Sequence, residues 1–115
     1  MRIVVVDDEP DIRLVLVLQL RGSGHEVVGV AGDGAEAVDV CAATLPDGVV
    51  LDLLMPGMTG FEAIPKLQAL VPPPVIVAYS AVAGAFVRSE MERAGIALVL
   101  KSGDISALLS ALAGG

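Results

Sequence analysis

The sequence predicts an α/β fold built on a parallel sheet. Short continuous apolar runs recur along the chain, helix-period stretches separate them, and the two alternate about every 23 residues over 115 residues. Unbroken apolar runs of this length suit strands buried on both faces, as a sheet flanked by helices requires.

The first strand is read at residues 2–6 (Arg-Ile-Val-Val-Val), stopped by the acids Asp7 and Asp8. Residues 12–20 alternate enough to pass for a strand, but Pro10 suits a helical first turn and Gly22 a stop, so a helix is expected there. A second strand follows at 26–30. Asp33 and Glu36 then have capping-box spacing, with Val38, Cys41 and Leu45 on one helical face. The third strand is read at 48–53. Thr59 and Glu62 repeat the box spacing ahead of Ile64 and Leu67. Pro65 lies past the first turn of that third helix, where a lost hydrogen bond costs up to ~3 kcal/mol, and nothing in the sequence accounts for it. The run Pro72-Pro73-Pro74 is the sharpest breaker and leads into a fourth strand at 74–78. Val87, Met91 and Ala94 share a face of a fourth helix that Gly95 ends, a fifth strand occupies 96–100, and Asp104 caps a last helix carrying Ile105, Leu108, Leu109 and Leu112. No linker or repeat divides the chain, so one domain over 1–115 is expected.

Composition narrows the function classes. Hydrophobic residues make up 55% and aromatics 3%, with no Trp, so the core is aliphatic. The net charge of −7, from 14 acidic and 7 basic residues, repels phosphate backbones and argues against direct nucleic-acid binding by this segment. It suits a cation or a basic partner surface instead. One cysteine (Cys41) and one histidine (His25) exclude an internal disulfide framework and the usual zinc sites. Cys41 reads as a small apolar filler, His25 as a surface residue leading a strand, and Met55 and Met58 as loop packing. Acids arrive at Asp7, which breaks any secretory pattern, and no apolar run reaches membrane-spanning length. A cytoplasmic protein is expected.

In an open α/β sheet the chemistry lies beyond the carboxyl ends of the strands. The first strand ends at Asp7-Asp8, the third at Asp52, the fourth at Tyr79-Ser80 and the fifth at Lys101, whereas the second ends at Ala31-Gly32 with nothing reactive. If the first and third strands are neighbours, three carboxylates share one cleft, repelling by roughly 1 kcal/mol per pair even in water. Such a site raises its pKa values or holds a cation. Oxygen ligands without His or Cys point to Mg²⁺ or Mn²⁺. A carboxylate beside such an ion, an ammonium and a hydroxyl is a phosphoryl-transfer site in outline, with the carboxylate as nucleophile. Read singly, Asp7 or Asp8 could cap the first helix, Asp52 could be a turn residue, Ser80 a cap and Lys101 a solvated lysine. Read together, with Asp52 at a buried strand end, they favour a site. Glu9 and Asp11 add negative field without being ligands.

These residues carry a resemblance. The segments Val5-Val6-Asp7-Asp8-Glu9-Pro10, Gly32-Asp33-Gly34-Ala35-Glu36-Ala37, Leu51-Asp52-Leu53-Leu54-Met55-Pro56-Gly57-Met58-Thr59-Gly60, Ser80-Ala81 and Leu100-Lys101, in this order, resemble the receiver domains of bacterial two-component response regulators, the CheY-like family. The resemblance covers essentially the whole chain. It implies a flavodoxin-like (βα)5 doubly wound sandwich with strand order 2-1-3-4-5. It implies that Asp52 is phosphorylated by a sensor histidine kinase, a phosphotransfer protein or a small phosphodonor. Asp8 would bind Mg²⁺ directly, Asp7 through a water, and Leu54 through its backbone carbonyl, while Ser80 is the switch hydroxyl and Lys101 contacts a phosphoryl oxygen. The implied readout surface is the face of the fourth helix, fifth strand and fifth helix, open to a homodimer or an output domain.

The chain also departs from the family pattern. Leu98 stands where most members have Tyr or Phe, which puts the usual switching route in doubt and leaves Tyr79 as another. Ser102 replaces a common proline after Lys101. Leu54 and Val82, two positions beyond Asp52 and Ser80, are apolar and cannot orient an attacking water, so slow self-dephosphorylation is expected. Two rivals stand beside this reading. A phosphorylation-independent interaction module would draw on the Leu98 departure. A Mg²⁺-dependent phosphatase would place its nucleophile on the first strand, within a carboxylate pair spaced by one residue, whereas the best nucleophile here is on the third. No output domain is legible in the chain, which ends at Gly114-Gly115, and a stand-alone receiver and a fragment both remain open.

Overall fold

The computed structural model describes residues 1–81, 83–101 and 105–114. Ten elements alternate along them: β1 Arg2–Val6, α1 Pro10–Gly22, β2 Glu26–Ala31, α2 Gly34–Thr44, β3 Gly48–Leu51, α3 Gly60–Gln68, β4 Val75–Ser80, α4 Ala85–Ala94, β5 Ala97–Leu100 and α5 Ile105–Gly114. The strands form one sheet in the order β2-β1-β3-β4-β5, with every neighbouring pair parallel. The doubly wound flavodoxin-like order 2-1-3-4-5 is therefore present.

Alternation along the strands sorts the core into two layers. Ile3, Val5, Val50, Val77, Tyr79 and Val99 meet Leu16, Val17 and Leu20 of α1 and Leu108 and Leu112 of α5. On the opposite face Val4, Val6, Val49, Leu51, Ile76 and Ala78 meet Ala37 and Cys41 of α2, Ala63, Ile64 and Leu67 of α3 and Met91 of α4. Each such valine, leucine or isoleucine removed from water contributes about 1.5–3 kcal/mol. All four residues of β3 are buried, which explains its unbroken apolar run.

Several element limits shift. The third strand stops at Leu51, so Asp52 and Leu53 lie in the following loop rather than in the strand. β2 runs on to Ala31 and β4 runs from Val75 to Ser80, while β5 begins at Ala97. Leu45 does not join the buried face of Cys41. It is the C-cap of α2, with φ 47° in the left-handed region, and its side chain is exposed. Pro46 follows and prevents further helix, and the Leu45 carbonyl accepts from Arg2 Nη1 at 3.0 Å.

The helix starts follow the expected chemistry. The Asp33 carboxylate accepts from the Glu36 backbone N–H at 2.8 Å, and Thr59 and Glu62 form a complete capping box. α1 begins with Pro10 after Glu9, and Leu14, Val15 and Leu18 are exposed on its outer side, which is why its period reads ambiguously. Pro65 sits inside α3 on the exposed side, where the Phe61 carbonyl freed by its missing N–H can reach water. The Asp104 cap, Ser102 and Val82 lie outside the described residues. Among the described residues no helix is long and apolar enough to cross a membrane.

Candidate functional site

The sheet's hydrogen-bond ladder runs one residue past three strand ends and thereby fixes the chemistry. The Asp7 N–H donates to the Ala31 carbonyl at 3.1 Å, the Asp52 N–H to the Val6 carbonyl at 3.0 Å, and the Lys101 N–H to the Ser80 carbonyl at 2.9 Å. Because β1 lies beside β3, with Val6 paired to Leu51, the residues that follow them meet. Oxygens of Asp7, Asp8 and Asp52 lie within 4.8 Å of one another. Asp7 is fully buried, Asp52 is 4% exposed and Asp8 is half-buried.

Lys101 closes the cluster. Its Nζ lies 2.9 Å from Asp7 Oδ2 and 3.3 Å from Asp52 Oδ2. Burial, the largest influence on Asp52, pushes its carboxyl up to about 6; the Lys101 charge pulls it down and Asp7 pushes it up. Burial pulls the Lys101 ammonium down, yet the hydrogen bond to Asp7 and the two carboxylate charges outweigh it and leave the pKa raised. One ammonium against three carboxylates leaves a net negative cleft lined by hard oxygens. That donor set fits a divalent cation such as Mg²⁺ and offers no soft ligand.

The remaining expected residues fall around this centre. Ser80 is buried at the end of β4. The Leu54 side chain is 58% exposed, and its backbone N–H lies 3.4 Å from Asp52 Oδ1. Glu9 and Asp11 are exposed, and the Asp7 carboxylate accepts from the Glu9 N–H at 2.9 Å in an Asx turn leading into α1. Cys41 is wholly buried and burial pushes its thiol up to about 11, as befits an inert filler.

Sequence reasoning missed three supports. Arg13 Nη1 donates to the Asp7 backbone carbonyl at 2.9 Å, pinning the turn that carries Asp7 and Asp8. The Gly60 N–H donates to the Leu53 carbonyl at 3.1 Å, and a Cβ at Gly60 would collide with the Asp52 carbonyl oxygen. The Gly34 N–H donates to the Met58 carbonyl at 2.8 Å, and a Cβ there would lie 2.6 Å from that oxygen. The two glycines clamp the 52–60 loop between α2 and α3. The Gly-x-Glu and Thr-Gly patterns mark these positions in sequence, but their contacts are long-range.

The fold and cleft define a doubly wound α/β domain with an acidic cation-type centre and a lysine at the carboxyl edge of its sheet. The chain belongs to the response regulator receiver domain family, whose pattern matches residues 3–113. It is a receiver domain of the kind found in two-component response regulators. It is 32% identical over 111 residues to the transcriptional regulatory protein PdtaR of Mycobacterium tuberculosis, covering 96% of this chain and 54% of that protein. The chain thus spans about half the length of that curated relative. Among solved structures, a LuxR-family two-component response regulator from Aurantimonas sp. SI85-9A1 superposes with a TM-score of 0.87 at 33% identity, over 98% of this chain and 82% of that one. The signal receiver domain of the putative response regulator NarL from Mycobacterium tuberculosis gives 0.88 at 32% identity, over 99% and 97%.

Proposed function

We propose that this domain accepts a phosphoryl group on Asp52 from a sensor histidine kinase, a phosphotransfer protein or a small acyl phosphate. The observation that carries this reading is the Lys101 ammonium held between Asp7 and Asp52 in a cluster of three carboxylates. Asp7, Asp8, Asp52 and the Leu54 backbone carbonyl would hold Mg²⁺. When bound, the ion neutralises charge on the transferring oxygens and aligns them.

Asp52 is mostly ionised at neutral pH, since its carboxyl titrates near 6. One of its carboxylate oxygens attacks phosphorus while the P–N bond of a phosphohistidine, or the P–O bond of an acyl phosphate, breaks. The leaving group departs with the bonding electron pair, and a mixed anhydride remains on Asp52. Lys101 and Ser80 donate to the phosphoryl oxygens. The new charge shifts a pre-existing inactive/active equilibrium in proportion to its differential contacts in the two states. The face of α4, β5 and α5 reads out that shift to a second copy or an output domain. The domain is a cytoplasmic signalling module; its catalysis is limited to its own phosphorylation and dephosphorylation.

Leu98 favours one rival. It is half-buried against the α2/α3/α4 layer and carries no ring, so an interaction module signalling without phosphorylation remains the second reading. Incubation with Mg²⁺ and acetyl phosphate, followed by intact mass, separates the two. Gain of one phosphoryl group that disappears in Asp52→Asn supports the acceptor; no gain with acetyl phosphate or a cognate kinase supports the module.

A further inference from the structure

The Lys101 ammonium has a third neighbour, the Tyr79 ring, whose centroid lies 6.0 Å from Nζ. Tyr79 is 7% exposed and belongs to the α1/α5 layer, whereas Leu98 packs with the α2/α3/α4 layer. The chain has three aromatic residues in all; Phe61 packs on the Leu98 side and Phe86 is exposed on α4. The ring beneath the Lys101 ammonium therefore stands on the opposite face of the sheet from the position where most of the family carries its aromatic.

That ring also has room to move. A cavity of about 170 Å³ is lined by Tyr79, Lys101 and the α1 residues Ile12, Val15, Leu16 and Gln19. Ile12 and Val15 are 36% and 50% exposed, so the cavity opens to solvent alongside α1. From this geometry we propose that Tyr79 transmits the phosphorylation state of Asp52 to α1, through Lys101, as a route separate from the α4–β5–α5 face. The inference rests on the reading of Asp52 as the phosphoryl acceptor. A phosphoryl group adds negative charge beside Lys101 and draws its ammonium away from Asp7. The cation then shifts over the ring, and the ring repacks into the cavity against Ile12, Val15 and Leu16. Packed interfaces respond to such displacements by switching arrangement rather than by stretching.

The test uses the whole chain, isotope-labelled, with Mg²⁺ and beryllofluoride as the phosphoryl mimic; loading is followed independently by fluorine NMR. In the wild type, loading shifts the resonances of Ile12, Val15 and Gln19 as well as that of Leu98. It also changes Tyr79 emission, which is uncontaminated because the chain has one Tyr and no Trp. In Tyr79→Leu the α1 shifts fall by more than half while Leu98 still responds and loading persists; Tyr79→Phe keeps the wild-type pattern. Tyr79→Met supplies the same comparison with a flexible side chain of similar volume should the leucine variant not fold. Undiminished α1 shifts in a loaded Leu or Met variant, or unmoved α1 resonances in loaded wild type, overturn the Tyr79 route alone. Failure of wild type to load overturns the acceptor reading and this route with it.

Discussion

Lys101 Nζ donates to Asp7 Oδ2 at 2.9 Å, joining the carboxyl end of β5 to that of β1 across the two strands between them. Asp7 is fully buried, and its carboxylate accepts from this ammonium and from the Glu9 N–H. Lys101→Met strands the carboxylate and is expected to cost about 3–5 kcal/mol in urea unfolding at neutral pH. Adding Asp7→Asn to that variant recovers part of the loss. A single-variant loss below about 1 kcal/mol would instead mean that water screens the pair.

Asp52 makes stability depend on pH. Its folded-state carboxyl, raised mainly by burial, titrates near 6 against an ordinary 3.8. The folded chain therefore holds this proton more tightly than the unfolded one. The stability the group contributes is complete below the ordinary value and is lost as pH rises through the folded value. Asp52→Asn removes that penalty. Without divalent cations the variant is expected to be more stable than wild type at neutral pH, by up to ~3 kcal/mol, with the gap closing toward pH 4. Chemical unfolding across this range checks it; a gap independent of pH would show that Asp52 ionises freely when folded.

These trends start from residues legible in the sequence. Asp52 stood out because it interrupts a buried apolar run, and Asp7 and Lys101 because they end two others. What the sequence did not carry lay in contacts between distant segments and in local backbone turns. Leu45 keeps helical spacing from Cys41, yet the left-handed cap before Pro46 swings it outward. Arg13 supports the site through the Asp7 carbonyl, a bond from a helix back across a loop that no periodicity announces. Tyr79 read as a strand end, and its place over Lys101 depends on β4 and β5 being neighbours.

The 52–60 loop is held by absence of side chains. A methyl group at Gly60 would strike the Asp52 carbonyl and approach the Leu53 Cα at 2.8 Å, both of them backbone atoms that cannot rotate away. Gly60→Ala is expected to cost about 1–3 kcal/mol and to slow acetyl phosphate labelling of Asp52 through displacement of its backbone. Gly84→Ala, where a Cβ meets nothing within 4 Å, is the control. Equal labelling rates in both variants would show that the loop absorbs the clash without moving Asp52.

Three carboxylates facing one ammonium make cation binding a stabilising event. An ion that binds only the folded chain adds RT ln(1 + [L]/Kd), which is about 1.4 kcal/mol at ten times Kd. Mg²⁺ is therefore expected to raise the melting temperature, EDTA to reverse the rise, and Asp8→Asn to shift the response to higher concentration. A melting temperature insensitive to Mg²⁺ in the wild type would argue that Lys101 alone satisfies the cluster.

If Asp52 accepts a phosphoryl group as proposed, the lifetime of that acyl phosphate turns on what stands beside it. The Leu54 side chain is 58% exposed at the loop that follows Asp52 and has no atom able to position a hydrolytic water. Leu54→Asn supplies an amide in the same place. One water-orienting hydrogen bond worth about 1.4 kcal/mol in the transition state shortens the lifetime about tenfold. Phosphate release from the labelled chain, followed at neutral pH with Mg²⁺, gives the comparison. Equal release from wild type and variant would place the control of hydrolysis elsewhere, and a wild-type lifetime of seconds would contradict the slow turnover that an apolar rim implies.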